Sequence, residues 1–324
     1  VSVPSEFTFV RTSGLLSDAG RSKTITSSAI RDIHKRAEAF KVNGYTALCS
    51  SALEYALDGN RHTIHPIGEN AKNIYANMSY IFCKDEFIRT IYKIAIELGF
   101  KHVRFVDGIW AEGTQLIDEI SRVDGAVMID VGYSSTTLAL MKGDGIKFKK
   151  DCQFGKGYMT DALASVLNVD YEVAESLFPK ITLNIESDDM SVYQYEVGNA
   201  KFESKAREVN SFLHNFIMNN LVEFVNSCIA EIREADKMSE SQNAFGASVY
   251  PSVNDLTRFF LVGGGLSEIR GAANFFARAL SREVTVLSAG TAGWDKPYYA
   301  SMFATLEIAE EMSRKNSLLE RLFR

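Results

Sequence analysis

The stretches VMIDVGYSSTTLAL (residues 127–140) and FFLVGGG (residues 259–265) each place a glycine-bearing turn directly after a buried apolar strand. Glycine lets a backbone come close to a phosphate or a purine, and it reaches positive φ without strain. Asp130 in the first turn can face a metal-bound phosphate, and the backbone N–H groups after it can hold anionic oxygens. The two turns therefore predict a nucleotide held between strand ends. We expect them to lie on opposite walls of one crevice.

The composition is that of an ordinary globular protein. The 324 residues are 46% hydrophobic and 23% charged, and a chain of this length favours two lobes. The net charge of −6 argues against a nucleic-acid partner, which usually requires a basic face. The four cysteines form no CxxC pair and indicate buried thiols in a reducing compartment. No apolar run is long enough to predict a spanning helix.

Residues 5–103 have the pattern of a small α+β unit. Alternating and β-rich segments predict strands, and 3.6-residue periodicity predicts helices. The predicted order is strand, helix, strand, strand, strand and helix. The corresponding segments are a strand at 7–9, a helix after Thr26, strands at 45–49, 52–57 and 79–83, and a helix at 87–98.

The rest of the chain has α/β character with one different region. Before the different region, the pattern predicts a strand at 103–106, a helix at about 110–120, the first glycine turn, a β-hairpin at 136–141 and 146–154, and helices at 158–167 and 170–178. In the different region, residues 178–255, the pattern predicts a short alternating stretch at 193–197, one or two long helices at 200–233 and a polar linker at 237–252. After the triple glycine, a helix at 272–280, a strand at 284–287 and a helix at 299–313 are expected.

The chain resembles the FtsA family of actin-like cell-division proteins over nearly its whole length. The two glycine turns resemble the second phosphate motif and the adenosine motif of the actin superfamily. Four further segments are similar to family motifs: residues 56–68, 155–163 (GKGYMTDAL), 174–175 and 297–300 (PYYA). The serine-rich turn after Gly132 also resembles PilM, an FtsA-like adaptor of type IV pilus machinery.

The chain departs from the family pattern at the first turn. Tyr133 and Ser134 replace two glycines, Thr137 replaces an aspartate, and Phe178 stands where the family has a lysine. The hydroxyls can still donate to phosphate oxygens, but the turn is less open. The first phosphate motif is not found. The opening residues 1–4 (VSVP), without an initial Met, are typical of the middle of a protein, so we expect an N-terminal portion to be missing.

The resemblance implies an α/β, actin-like (ribonuclease H-like) fold of two lobes with an inserted strand-helix-strand-strand module. Residues 1–103 would be the inserted module (subdomain 1C) and residues 104–123 part of the first lobe (1A). The second lobe would comprise a core (2A) at 124–175 and 259–298 and an outer subdomain (2B) at 176–258. Residues 299–313 would be a helix that returns to the first lobe, and residues 314–324 an amphipathic tail.

The resemblance also implies ATP and Mg²⁺ as cofactors. The residues expected to contact them are Asp130, Gly132, Ser134, Ser135, Thr136, Gly155, Gly157, Glu175, Gly263, Gly264 and Gly265. Asp130 would hold Mg²⁺ through water, and Glu112 would polarise an attacking water. Each has a structural alternative: Asp130 can cap a turn, the glycines can form ordinary loops, and Glu112 and Glu175 can be solvated carboxylates on helix surfaces.

The function implied is that of an adaptor with at most weak ATPase activity. It would polymerise through its inserted module and bind the C-terminal tail of FtsZ. It would also contact the inner membrane peripherally, on the cytoplasmic face. Leu318, Leu319, Leu322 and Phe323 would form the apolar side of a basic amphipathic helix for this contact. Two alternatives stay open: a PilM-like pilus assembly adaptor, and a sugar or acetate kinase of the same superfamily.

Overall fold

The computed structural model describes residues 1–38, 40–183, 192–242, 258–267 and 269–322. The strands are β1 (Ser2–Val3), β2 (Thr8–Thr24), β3 (Tyr45–Leu57), β4 (Arg61–Thr63), β5 (Asn70–Lys84), β6 (Val106–Asp107), β7 (Ala126–Val131), β8 (Thr136–Lys142), β9 (Gly145–Cys152), β10 (Val192–Val197), β11 (Ala200–Lys205), β12 (Arg258–Val262) and β13 (Glu283–Val286). The helices are α1 (Ser27–Glu38), α2 (Asp85–Glu97), α3 (Gly108–Leu116), α4 (Glu119–Asp124), α5 (Lys156–Leu167), α6 (Tyr171–Leu177), α7 (Ala206–Ile217), α8 (Glu223–Gln242), α9 (Ala272–Leu280) and α10 (Ala300–Leu322).

A five-stranded sheet with the order β13-β12-β7-β8-β9 organises the region that contains both glycine turns. β7, β12 and β13 are parallel, whereas β8 and β9 follow β7 as an antiparallel meander. β7 is apolar almost throughout because both faces of the sheet are covered. Val127, Ile129 and Val131 pack on one side against α5, α7 and α9. Ala126 and Met128 point the other way, toward α3 and the start of α10.

The four-stranded antiparallel sheet β2-β5-β3-β4 forms the N-terminal unit, with α1 packed on it. The predicted order of strand, helix, three strands and helix is found in β2, α1, β3, β4, β5 and α2, but β4 was not predicted and one strand was divided in two. The segments 45–49 and 52–57 are one strand, β3, rather than two. The pairing of β3 with β5 shifts register between Ala47 and Cys49 and again between Ala52 and Glu54. These bulges break the alternation of side chains, which is why the pattern suggested separate strands.

Two other predicted elements also differ from the structure. The helix expected at 110–120 is two helices, α3 and α4, because Asp118 begins a new helix by accepting a hydrogen bond from the Ser121 N–H. Residues 200–205, expected to be helical, form β11 and pair with β10. A turn at Gly198, with φ of +60°, connects the two strands. The long helices α7 and α8 begin only after this hairpin, with a π-helical stretch at Met218–Val222 between them.

A buried polar cluster built around an ion pair connects the two larger sheets through the short strand β6. Lys149 on β9 lies 3.5 Å from Asp107 at the end of β6, and their side chains are only 2% and 0% exposed. The Thr8 hydroxyl at the start of β2 donates to Asp107 over 2.5 Å. The Lys149 ammonium also donates to the Ser5 carbonyl over 2.8 Å. Side chains from β2, β6 and β9 therefore meet in one polar contact that is buried from solvent.

The C-terminal helix α10 extends to Leu322, beyond the predicted end at residue 313. Its first turns pack against α3 through Ala304 and Ile308. The side chains of the predicted amphipathic tail, residues 314–324, lie outside what the structure describes. None of the helices in the described ranges has the length and apolar character needed to span a bilayer.

Candidate functional site

The two glycine turns lie side by side at the same edge of the five-stranded sheet. Val262 pairs with Asp130 in the parallel ladder between β12 and β7, so the turns that follow these residues emerge together. The Gly265 N–H donates to the Val131 carbonyl over 2.7 Å. The expectation that the turns converge is confirmed, but the expectation that they occupy opposite walls is wrong. They form one continuous wall.

The close approach of these turns depends on glycine at two positions. Gly263 has φ of +85°, and a methyl group on it would lie 2.2 Å from Asp130 Oδ1 and 2.5 Å from the Val131 carbonyl oxygen. A methyl on Gly265 would lie 2.6 Å from the Gly132 carbonyl oxygen. The interpretation of the triplet as an ordinary loop is incomplete, because the glycines let the second turn pack directly on the first. At Gly264, the nearest neighbour of such a methyl is the Tyr298 side chain.

The turn between β7 and β8 is tight and exposes its serines. The Gly132 N–H donates to the Ser135 carbonyl over 2.9 Å. Ser134 is exposed and Ser135 is half-buried, so neither serine is needed for the packing of the core. Thr136 differs from expectation: its side chain is buried, and its hydroxyl donates to the Phe154 carbonyl over 2.6 Å. That hydrogen bond makes Thr136 a support of the turn rather than a ligand-contacting residue.

Gly155 and Gly157 bring the start of α5 against the same turn. The Lys156 N–H donates to the Gly132 carbonyl over 3.0 Å, and the Gly157 N–H donates to the Tyr133 carbonyl over 2.8 Å. A methyl on Gly155 would lie 2.5 Å from the Tyr133 carbonyl oxygen. The helix N-terminus would ordinarily offer these N–H groups to an anion. Here the turn itself accepts them.

Glu175 lies beside this helix start and takes part in an ion pair. Its carboxylate is 3.3 Å from the Lys156 ammonium, and both side chains are partly exposed. Lys156 also lies over the ring of Phe178, 5.6 Å from its centroid. Glu175 is therefore more than a freely solvated carboxylate. It links α6 to α5 at the rim of the site.

Asp130 is a carboxylate held in an unfavourable environment. Burial, together with the nearby charges of Asp151 and Glu6, raises its pKa to about 6. A carboxylate kept where its charge is destabilised is typical of a functional position. A cation bound close to it would reverse this effect by favouring the ionised form.

Glu112 was weighed as a solvated residue on a helix surface, and that interpretation is wrong. Its side chain is 2% exposed because α3 packs between the sheet and α10. Burial raises its pKa well above the ordinary value, and the charges of Asp130 and Asp107 add to the shift. Among the residues that the structure describes, none donates a hydrogen bond to its Oε2. A protonated Glu112 cannot accept a proton from water, so in this state it does not serve as a general base.

The donors at the site fit a Mg²⁺ ion that is bound mainly by ligand and water oxygens. In the part of the chain that the structure describes, no three His, Cys, Asp or Glu side chains are arranged to hold a metal by themselves. A single carboxylate, Asp130, at the edge of a turn with exposed hydroxyls suits a Mg²⁺ that keeps several waters.

Three site residues were missed from the sequence. Tyr171 bonds to Tyr133 through their hydroxyls over 2.6 Å, Lys156 pairs with Glu175, and Tyr298 packs against Gly264. Tyr298 is 48% exposed and lies 4.2 Å, centroid to centroid, from the ring of Tyr299. For the tyrosine pair and the ion pair, the spacing in the sequence was a signal. Tyr171 and Glu175 are four residues apart, so they share a helix face and can reach the same neighbours.

The raised pKa of Asp130 gives a testable pH dependence. Because the folded-state pKa exceeds the unfolded value, Asp130 contributes stability that is lost as pH rises from about 4 to about 6. Asp130→Asn carries no charge, so we expect it to be about 2–3 kcal/mol more stable than wild type at pH 8. The difference should disappear toward pH 4. Urea unfolding in EDTA at pH 4, 6 and 8 measures this.

The exposed Asp161→Asn on α5 is the control for this experiment, and we expect no comparable gain. A wild-type protein that is as stable as Asp130→Asn at pH 8, or more stable, would contradict the electrostatic description of Asp130.

The chain is similar in sequence to a bacterial cell-division protein. It is 20% identical over 266 residues to cell division protein FtsA of Escherichia coli (strain K12), a match that covers 80% of this chain and 61% of the relative. The chain thus spans about three fifths of the length of the curated relatives it matches. No family model matches the chain.

Solved structures show that the fold is actin-like. MreB 5 of Spiroplasma citri bound to AMPPNP superposes with a TM-score of 0.55 at 15% identity, covering 73% of this chain and 68% of that one. The PilM-PilN type IV pilus biogenesis complex superposes with a TM-score of 0.52 at 14% identity, covering 93% of this chain and 76% of that one. The predicted α/β, actin-like fold is thereby confirmed.

Proposed function

We propose that this chain is an actin-like, nucleotide-binding adaptor protein. The observation that carries the proposal is the contact between the two glycine turns: Asp130, the serine turn and the glycine triplet form one wall at the carboxyl ends of parallel strands. Ligands of open α/β sheets bind at this edge. The AMPPNP bound to the structurally similar MreB 5 supports a nucleotide as the ligand.

The roles of the residues follow from their positions. Ser134 and Ser135 donate hydroxyl hydrogens to phosphate oxygens, and Asp130 holds Mg²⁺ through water. Mg²⁺ supplies neutralisation of the phosphate charge when it is bound. The glycine triplet lets the ribose and base approach the backbone, and the exposed Tyr298 ring beside Gly264 provides an apolar surface for the base.

In this proposal ATP acts chiefly as a structural ligand. A ligand that binds one arrangement of the chain stabilises that arrangement in proportion to its occupancy. Hydrolysis would be slow because Glu112, the carboxyl expected to polarise water, is buried and its pKa is raised. The protein would thus be a scaffold whose assembly depends on nucleotide, with weak ATPase activity at most.

The serine turn gives the first test. Ser134→Ala together with Ser135→Ala removes two donors to phosphate, and we expect the affinity for Mg–AMPPNP to fall at least about tenfold, since each hydrogen bond to a charged group contributes about 1.5–3 kcal/mol. Isothermal titration calorimetry measures the affinity. Ser165→Ala, exposed at the other end of α5, is the matched control and should bind as wild type does. Unchanged affinity in the double variant would place the phosphates elsewhere.

The partner proposed first is FtsZ. The likeness to FtsA supports an adaptor that self-assembles into filaments, binds the C-terminal tail of FtsZ, and lies peripherally at the cytoplasmic face of the inner membrane. Residues 314–324 are the segment proposed to make the membrane contact. One such segment binds weakly, so stable attachment would come from many copies in a filament.

A specific observation favours a second candidate, a PilM-like pilus adaptor. The PilM-PilN complex covers 93% of this chain, whereas MreB 5 covers 73%. More of this chain therefore has a structural counterpart in the PilM-PilN complex than in MreB 5.

A paired binding experiment separates the two candidates. The full chain with Mg–AMPPNP is titrated by fluorescence anisotropy against a labelled FtsZ C-terminal tail peptide and against a labelled N-terminal peptide of PilN. Saturable binding of the FtsZ peptide alone supports the cell-division adaptor, and binding of the PilN peptide alone supports the pilus adaptor. A scrambled peptide of each composition is the control.

A further inference from the structure

Tyr133 replaces a glycine of the family pattern. Its side chain and backbone contact α6 and the start of α5, both of which belong to this chain. Its side chain is 58% exposed, so the packing of a core does not require an aromatic residue there. Its hydroxyl bonds to the Tyr171 hydroxyl at the start of α6 over 2.6 Å. We call the pair of Tyr133 and Tyr171 the tyrosine latch.

The backbone and the ring of Tyr133 both contact Gly157 at the start of α5. Its carbonyl accepts the Gly157 N–H, and its ring covers Gly157 closely enough that a methyl there would lie 3.2 Å from Cε1. The Gly132 carbonyl accepts the Lys156 N–H. Two of the first N–H groups of α5, those of Lys156 and Gly157, are therefore already bonded to the turn.

A second link holds the same three elements together. Glu175, one helical turn after Tyr171 on α6, pairs with Lys156 at the first position of α5 over 3.3 Å. The β7–β8 turn, α5 and α6 are thus joined by Tyr133–Tyr171 and by Lys156–Glu175 without any ligand. Phosphates that are to reach the α5 N–H groups must first displace the carbonyls of Gly132 and Tyr133.

We propose that the tyrosine latch determines the affinity and selectivity of this site by keeping the N-terminus of α5 closed to phosphate. This inference rests on the proposed nucleotide-binding function. In the closed state the serine turn alone contacts phosphate. A ligand whose phosphates also reach α5 binds only the opened state, so its observed affinity is reduced by the fraction of molecules that are open.

The latch has a spectroscopic signature that does not depend on ligand. The hydrogen bond with Tyr171 raises the pKa of the Tyr133 phenol to about 12. Tyr171→Phe removes only the partner hydroxyl. In this variant an ultraviolet titration should show the Tyr133 pKa returning toward its ordinary value near 10. Tyr158→Phe, an exposed tyrosine on α5, is the control and should leave the Tyr133 titration unchanged.

Measuring nucleotide binding by the same variants tests whether the tyrosine latch lowers the affinity for nucleotide. We expect Tyr171→Phe to bind Mg–AMPPNP between about twofold and tenfold more tightly than wild type, because opening no longer breaks the hydroxyl bond. Tyr133→Phe should give a similar gain. The double variant should gain no more than either single variant, because the two residues act through one bond.

The outcomes distinguish the latch from the function on which it rests. If wild type and Tyr171→Phe bind Mg–AMPPNP equally, the latch proposal is overturned and nucleotide binding stands. If no variant binds at millimolar ligand, the nucleotide-binding function fails and the latch proposal fails with it. Additive gains from Tyr133→Phe and Tyr171→Phe would also overturn the latch, because they would show that the hydroxyls act separately.

Discussion

Lys149→Met should lower the free energy of unfolding by about 3–5 kcal/mol, since it leaves the fully buried Asp107 carboxylate without its counter-ion. Methionine keeps the length of the lysine stem, so the loss reports the charge rather than the packing. The Thr8 hydroxyl and the backbone N–H of Trp110 still donate to Asp107, but neither group carries a charge. Urea unfolding followed by circular dichroism measures the effect.

The neighbouring residue provides the control for this prediction. Lys150 pairs with Glu231 on α8, and both side chains are largely exposed. Such pairs contribute about 0–1 kcal/mol, so Lys150→Met should change stability little. If Lys149→Met costs no more than Lys150→Met, the Lys149–Asp107 pair does not stabilise the junction between β6 and β9.

Gly263→Ala is the second substitution for which we expect a large effect. The residue has φ of +85°, where a side chain costs roughly 1–2 kcal/mol. The added methyl would also lie 2.2 Å from Asp130 Oδ1 and 2.5 Å from a Val131 backbone atom, which adds about 1–3 kcal/mol of overpacking. The total loss of unfolding free energy should be about 2–5 kcal/mol by urea unfolding.

Two other glycines separate the causes of that loss. Gly290 has φ of +64°, and no atom of the described residues lies within 4 Å of an added methyl, so Gly290→Ala should show the backbone strain alone. Gly264 has no positive φ, and an added methyl would lie 2.9 Å from Tyr298 Cβ rather than 2.2 Å from a neighbouring atom, so Gly264→Ala should cost less than Gly263→Ala. Equal losses at Gly263 and Gly290 would contradict the close contact between the turns.

The sequence predicted both glycine turns and their convergence, but it did not predict that they pack side by side in one wall. A strand followed by glycine is a local signal, whereas the pairing of β7 with β12 is a contact between segments far apart in the chain. Parallel pairing put both turns at the same edge of the sheet. Both turns were assigned to the core of one lobe, but no local pattern shows whether two turns of one core face each other or lie side by side.

The burial of Glu112 was also beyond the reach of a local pattern. A single glutamate on a short helix ordinarily faces solvent. Its burial depends on α10, which returns from the far end of the chain to cover α3. The hairpin of β10 and β11 is a different case. Gly198 followed by Asn199 was a local turn signal between two short strands, and the polar composition of β11 hid its pairing.

The central claim is that the two adjacent turns form a single nucleotide-binding wall, and amide hydrogen exchange with and without saturating Mg–AMPPNP tests it most directly. We expect the ligand to slow exchange at residues 132–136 and at residues 263–267 together, with half-maximal protection at the same ligand concentration in both segments. Protection of only one segment, or of neither, would contradict the claim.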